Sequence, residues 1–381
     1  MTVYLDNAAT TKVCNEAAKA ALTAMTELYG NPSSTHKMGR EAKALLNESR
    51  AKLAFTLGAK PQEVFFTSSG SEGDNWALIS ATELMKRHGN HIISSQAEHS
   101  AVLKSLEVLE KRGFEVTKLK PESDGSISPE SVLGALREDT ILISLMLVNN
   151  ETGGITDIAE IAKGIKKSGS AALLHTNAVQ GFLKVPFSAK TLGADLITVS
   201  GHKIHAPKGV GALYIKDSAK TRNLAPLIVG GSQEFGKRAG TEALPLIAAF
   251  AAAAEYGNGL AAQSQQEMTQ LKKLAETRLC TENEGLMVLS GDAPHILSIS
   301  LPGYKSEVVM NYLDSLGIYV SKSSACKKGG RSYVLEAMGL PNAVIDGAIR
   351  ISFSRYTTRD EVNALCDGIL MAREKLFTVL H

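Results

Sequence analysis

Cysteine is scarce in this chain, with four residues in 381, at positions 14, 280, 326 and 366. They are widely scattered and show no paired ligand spacing, which excludes a disulfide framework and a zinc site built on them. Each is therefore read as a free thiol, with Cys280 and Cys366 as buried apolar cysteines. An excess of charge is also missing: 41 basic and 39 acidic residues leave a formal charge of +2, too weak a field to draw nucleic acid or an acidic membrane surface. No stretch approaches the roughly 18 unbroken apolar residues of a membrane span. The opening MTVYLDNAATTKV lacks the basic segment and apolar run of a secretory signal. A cytoplasmic protein is expected, without metal, whose partners are small molecules and other proteins.

Hydrophobic residues make up 44% of the chain and charged residues 21%, ordinary values for a globular protein. The length calls for two domains, or for a large α/β domain with a smaller companion. Between about residues 60 and 215, short apolar runs alternate with helical patterns. The runs are EVFFT (63–67), HIISS (91–95), ILISLMLV (141–148), AALLHT (171–176), DLITVS (195–200) and GVGALYI (209–215). This alternation predicts parallel strands joined by crossover helices. Beyond about residue 258 the texture changes to long helical segments and a few strands, which predicts a smaller α+β domain packed with the N-terminal residues. The expected division is 16–257 for the large domain, and 1–15 with 258–381 for the small one.

The polar residues fall at the ends of the runs. Ser-Ser-Gly-Ser-Glu follows the first, His99 the second, Asn149-Asn150-Glu151 the third, Asn177 and Gln180 the fourth, and Ser200-Gly201-His202-Lys203 the fifth. Open parallel sheets bind ligands beyond the carboxyl ends of their strands, so these groups are expected around one crevice.

SSGSEG at 68–73 is by itself a common strand-to-helix turn, but its amides also suit an anion, with Ser71 adding a hydroxyl. SGHKIHAPKG at 200–209 places Lys203 beside such a phosphate cradle, as Schiff-base cofactor chemistry requires. Lys208 is better read as a surface lysine. His99 suits stacking on a ring or proton transfer near neutral pH, whereas His88, His91 and His175 read as capping or exposed histidines. Asn150 suits a phenolic oxygen or a substrate carboxylate, and Gln180 the same oxygen. Cys326 lies close to Lys327, Lys328 and Arg331, which favour its thiolate, and Gly329-Gly330 predict a mobile segment able to carry a group away.

Taken together, YLDNAATT (4–11), YGNPSSTH (29–36), FTSSGSEGDN (66–75), EHSAVL (98–103), VNNETG (148–153), SGHKIHAPKG (200–209), GGSQEFGKRAGT (230–241), SSACKKG (323–329) and AIRISFSRYTT (348–358) resemble the cysteine desulfurases. These belong to the class V aminotransferase group of fold-type-I pyridoxal-phosphate enzymes. The resemblance implies a large domain with a mainly parallel sheet and a smaller α+β domain carrying the cysteine loop. It also implies conversion of L-cysteine to L-alanine, with a persulfide passed to a sulfur acceptor such as an iron–sulfur scaffold or a tRNA-thiolating enzyme.

Residue by residue, Lys203 matches the lysine that binds pyridoxal 5'-phosphate covalently, and His99 the ring-stacking acid–base residue. Gly70, Ser71, Ser200 and His202 match phosphate-binding positions. Thr241 matches one supplied by a neighbouring subunit, which implies a homodimer with shared active sites. Asn150 and Gln180 match groups around the phenolic oxygen, Arg350 the substrate-carboxylate clamp, and Cys326 the persulfide-forming nucleophile.

Asn177 departs from the pattern, because relatives carry an aspartate there against the pyridine nitrogen. An amide lends no compensating charge, so slower α-proton loss or a low-activity protein is expected. His205 and Ala206 replace an aromatic residue and Gly and are expected to alter the pocket wall. A selenocysteine lyase, or a cysteine or cystine lyase of the same superfamily, is the alternative activity.

Overall fold

The computed structural model describes residues 2–322 and 330–378. Its centre is a seven-stranded sheet built from β2 (Val64–Thr67), β3 (His91–Ser95), β4 (Glu115–Leu119), β5 (Thr140–Met146), β6 (Leu173–Asn177), β7 (Leu196–Ser200) and β8 (Gly211–Ile215), in the order β2-β8-β7-β6-β5-β3-β4. Every residue of these strands except those of β4 is buried. Burial on both faces explains why they read as unbroken apolar runs rather than as alternating ones.

Two findings depart from the sequence reading. The 209–215 run is not parallel: β8 is antiparallel to both β7 and β2. The ten residues 201–210 form only a short turn, and a parallel return needs a longer crossover. The sequence runs also omit β4, whose EVTKL has only half-buried or exposed residues and so lacks the apolar signal of a central strand.

Helices cover both faces of the sheet. On one side α3 (Gly70–Met85) and α4 (Ser100–Lys111) pack Trp76, Ala77, Leu78, Val102 and Leu106 onto Phe65, Ile92 and Leu142. On the other, α1 (Asn15–Thr26), α2 (Lys37–Leu57) and the helix Leu244–Gly259 bury Ala17, Leu46, Leu53 and Phe250 against Phe66, Ile143 and Ile197. Each large apolar side chain buried this way contributes roughly 1.5–3 kcal/mol.

A second core lies around a four-stranded sheet of β9 (Met287–Val288), β10 (Ile296–Ser300), β12 (Ser321–Lys322) and β13 (Ala348–Ser352), ordered β12-β13-β10-β9. The helices Ala261–Glu282, Ser306–Ser315 and Arg359–Lys375 cover it. The N-terminal strand β1 (Val3–Tyr4) pairs in parallel with β11 (Ile318–Tyr319) and buries Val3 in this core. The following residues cross to the large sheet: Leu5 O accepts from Ser352 N at 2.7 Å, and Thr11 N donates to His202 O at 3.0 Å.

Cys14 and Cys366 are buried, but Cys280 is exposed. It lies one residue past the buried Leu279 on the helix Ala261–Glu282, whose outer face is solvated. His91 and His175, read as exposed or capping, are fully buried strand residues. Their ring nitrogens are satisfied by hydroxyls: Thr140 and Thr117 for His91, and Ser144 and Thr198 for His175.

Candidate active site

At the carboxyl ends of β2, β3, β5, β6 and β7 lies a cavity of about 900 Å³. Its lining includes Gly70, Ser71, His99, Asn150, Asn177, Gln180, Ser200, His202, Lys203 and Arg350. Thr241 is exposed and does not line it. Cys326 lies outside the described residues, but both neighbours of its segment reach the site: Ser321 bonds to Arg350, and Arg331 and Tyr333 line the cavity. His205 and Ala206 do not line it. The His205 ring instead meets Tyr356 edge-on at 4.9 Å and bonds to Lys12 O, and Ala206 packs in the core, so neither shapes the wall of this cavity.

One end of the cavity is made by the start of α3. Ser69 caps the helix, its hydroxyl accepting from Glu72 N at 3.2 Å. The amides of Gly70 and Ser71 belong to the first turn, where no intrahelical acceptor exists and the helix dipole favours negative charge. Gly70 is required there by close approach, because a Cβ would meet Val179 Cγ2 at 2.9 Å.

Lys203 ends the short turn Gly201–Lys203 that follows β7. Its Nζ donates to Ala8 O at 2.6 Å and Ala9 O at 2.7 Å, so the N-terminal segment aims the amine. His202 Nδ1 pairs with Thr10 Oγ1 at 3.2 Å. Burial and the nearby Lys203, Lys208 and Lys184 push its pKa down to about 4, so this ring is neutral. His99 caps α4, its Nδ1 accepting from Ala101 N at 3.2 Å. Burial, and then the Lys203 charge, lower its pKa, so the neutral ring carries its proton on Nε2.

Arg350, on β13, is 1% exposed. Its guanidinium donates to Asn150 O at 2.8 Å, to Asp6 Oδ1 at 3.1 Å and to Ser321 Oγ at 3.2 Å, while its Nε has no partner. Gln180 Nε2 donates to Ala8 O at 2.8 Å. Three buried oxygens of cavity-lining residues accept no hydrogen bond: Asn150 Oδ1, Gln180 Oε1 and Asp74 Oδ1. Buried polar atoms rarely remain unpaired, so Asn150 Oδ1 and Gln180 Oε1 are open to a polar ligand, whereas Asp74 Oδ1 faces His175 Nε2 at 3.6 Å.

Three carboxyl groups also gather here, two of them from the segments after β3 and β5 and one, Asp74, that the sequence reading passed over. Glu98, Glu151 and Asp74 are buried carboxyl groups, raised by burial to about 8, 7 and 7 respectively. Glu151 accepts from the Ser332 hydroxyl, and Glu98 O accepts from Tyr333 Oη at 2.7 Å. A signal for Asp74 was present: it stands on the buried face of α3 with Gly70, Ala77, Leu78 and Ala81, where an apolar residue is the rule.

The family model described as "Aminotransferase class-V" matches residues 3–365. A curated relative, cysteine desulfurase 2 of Trichormus variabilis, is 41% identical, covering 95% of this chain and 90% of its own. The chain belongs to the cysteine desulfurases of the class-V aminotransferase family. Cysteine desulfurase IscS of Methanosarcina thermophila is 39% identical over 98% of this chain and 92% of its own. Among solved structures, a NifS-like protein superposes with a TM-score of 0.92 at 35% identity, over 99% of this chain and all of the other. SspA in complex with cysteine gives 0.81 at 31%, over 94% of this chain and all of SspA.

The desulfurase fold is that of a fold-type-I enzyme, and its cofactor is pyridoxal phosphate. The cavity fits that group: helix amides and Ser200 for a phosphate, an amine for the aldehyde, and unpaired buried oxygens and an imidazole around a ring.

Proposed function

We propose that this desulfurase converts L-cysteine to L-alanine and passes the sulfur through Cys326, with roles divided among residues of the one cavity. Gly70, Ser71, Ser200 and His202 bind the phosphate, and Lys203 is the lysine bound to pyridoxal phosphate. When present, that group supplies an aldehyde for amine condensation and a ring that takes up electron density from the substrate. Freed by the substrate amine, Lys203 Nζ removes the α-proton, held in line by Ala8 O and Ala9 O. His99 flanks the ring and offers its Nε2 proton. Asn150 and Gln180 bind the phenolic oxygen, and Arg350 takes the substrate carboxylate.

The Cys326 thiolate attacks the substrate sulfur, forming an S–S bond as the C–S bond breaks. The carbon retains the electron pair and is protonated, so that alanine leaves and a persulfide remains. Beside the segment that carries Cys326, Ser321 bonds to Arg350, and Arg331 lines the cavity. The persulfide then goes by thiol exchange to a protein acceptor, an iron–sulfur scaffold or a tRNA-thiolating enzyme. Free Cys14, Cys280 and Cys366 suit a reducing cytoplasm.

The partner for Thr241 is a second copy of the chain. The segment before it exposes Ile228, Val229 and Phe235, an apolar surface suited to a homodimer with shared sites. The two cores support the division into a 16–257 unit and a unit of 1–15 with 258–381.

The observation that carries this reading is the meeting of Lys203, the α3 N-terminus and Arg350 on one cavity. Incubation with L-cysteine should yield alanine, with a persulfide located on Cys326 by mass spectrometry. Cys326→Ser should keep the bound-cofactor absorbance and lose turnover, and full turnover in that variant would refute the assignment. Pyruvate in place of alanine would instead indicate a lyase.

A further inference from the structure

Asn177 ends β6 with both sides of its amide engaged. Its Oδ1 accepts from Val179 N at 3.0 Å and retains a second lone pair, while its Nδ2 donates to Asp74 Oδ2 at 2.8 Å. Asp74 is 1% exposed, one turn into α3, and lines the cavity. Around it stand His175 Nε2, 3.6 Å from Oδ1, the Thr198 hydroxyl, which lowers the Asp74 pKa by hydrogen bonding, and the carboxyl of Glu98, whose pKa Asp74 raises by its charge.

None of these groups supplies a positive charge. His175 is neutral, driven down to about 3 by burial. Burial raises both Asp74, to about 7, and Glu98, to about 8, and neither meets a compensating cation here. A buried carboxylate without a cationic partner is costly, and the arrangement becomes favourable once a cation is bound next to Asn177.

We propose that Asp74 is the counter-charge for the cofactor's ring nitrogen, with the Asn177 amide as the bridge: Asn177 Oδ1 accepts from the protonated nitrogen while Nδ2 donates to Asp74. The inference rests on the pyridoxal-phosphate reading of the cavity. Asp74 is thus a positioning residue that acts through Asn177. On this reading the carboxylate missing from the strand end stands one side chain farther back.

The test loads the protein with pyridoxal phosphate carrying ¹⁵N at the ring nitrogen and reads its protonation by NMR at pH 7.5. Wild type should show a protonated nitrogen, Asp74→Asn should lose that proton, and Asp74→Asn with Asn177→Asp should regain it. An unprotonated nitrogen in wild type, an unchanged signal in Asp74→Asn, or no recovery in the double variant overturns the proposal. Because Asp74→Asn can impair folding, ¹³C titration of the Asp74 carboxyl in wild type serves as a second measurement. Its pKa should fall by at least one unit when the cofactor binds, and an unchanged or raised value overturns the proposal. Failure of the cofactor to bind at all, seen as no visible absorbance band, would instead overturn the reading of the cavity.

Discussion

Replacing Gly70 with Ala adds one methyl at the tightest point of the proposed phosphate cradle. The new Cβ would lie 2.9 Å from Val179 Cγ2, whereas its next neighbours, Ser200 Cβ and Thr198 Cγ2, lie at ordinary contact distances of 3.6 and 3.8 Å. Carbon atoms settle at about 3.5–4.0 Å, so something must withdraw by roughly 0.6–1 Å. Val179 is stiff at χ1 and anchored by its N–H to Asn177, so the helix start moves instead. A shift of that size removes one or two charge-assisted amide bonds to the phosphate, about 2–3 kcal/mol in all. Titration of apo-protein with pyridoxal phosphate, followed by visible absorbance, should then show roughly 30- to 150-fold weaker binding. Binding of pyridoxal, which lacks the phosphate, should be unaffected. Adding Val179→Ala removes the opposing methyl and should restore most of the affinity. Equal affinities in wild type and Gly70→Ala, or no rescue by Val179→Ala, would refute the steric reasoning.

Two further outcomes concern stability. Glu98 Oε1 accepts from Met146 N at 2.8 Å and Ser95 Oγ at 3.1 Å, while Oε2 has no partner. Its folded pKa is raised from 4.5 to about 8 by burial, so the folded protein retains a proton that the unfolded chain has released. Stability therefore falls as pH rises from about 4.5 to 8 and levels off above. Between pH 5.5 and 9 this group accounts for about 3 kcal/mol. Urea unfolding of the apo-protein should show wild type losing that much more than Glu98→Gln over the same interval, and parallel losses would contradict the argument. Arg50→Met should destabilise by about 3–5 kcal/mol, because it strands Glu234, which Arg50 holds through two bonds of 2.6 Å. Adding Glu234→Gln should recover most of the loss in denaturant unfolding, and a double variant no more stable than the single would show that charge is not the cause.

The large sheet was legible because its central strands are buried on both faces, which writes them as apolar runs. Strand β4 escaped notice because it lies at an edge and its residues are only half-buried. The direction of β8 depends on the length of the return from β7, not on its own composition. Lys203, His99, Asn150, Gln180 and Ser200 could be placed together from their positions after successive strands. Glu98 and Glu151 follow strands in the same way, but their burial, unlike that of Asp74 on the apolar face of α3, could not be read, since a carboxyl in a loop looks solvated until its neighbours in space are known. The burial of His91 and His175 was hidden for the same reason: the hydroxyls that satisfy them come from other strands.

The stretch from Leu5 to Thr11 acts as a strap. It is tied to β13 through Ser352, to Arg350 through Asp6, and to the lysine turn through Ala8, Ala9 and Thr11. A tilt of the small sheet cannot occur without tugging the carbonyls that steer the amine. The Arg350 guanidinium and the Lys203 amine are thereby geared to a single backbone, and a pull on Val3 or Tyr4 would be felt at both.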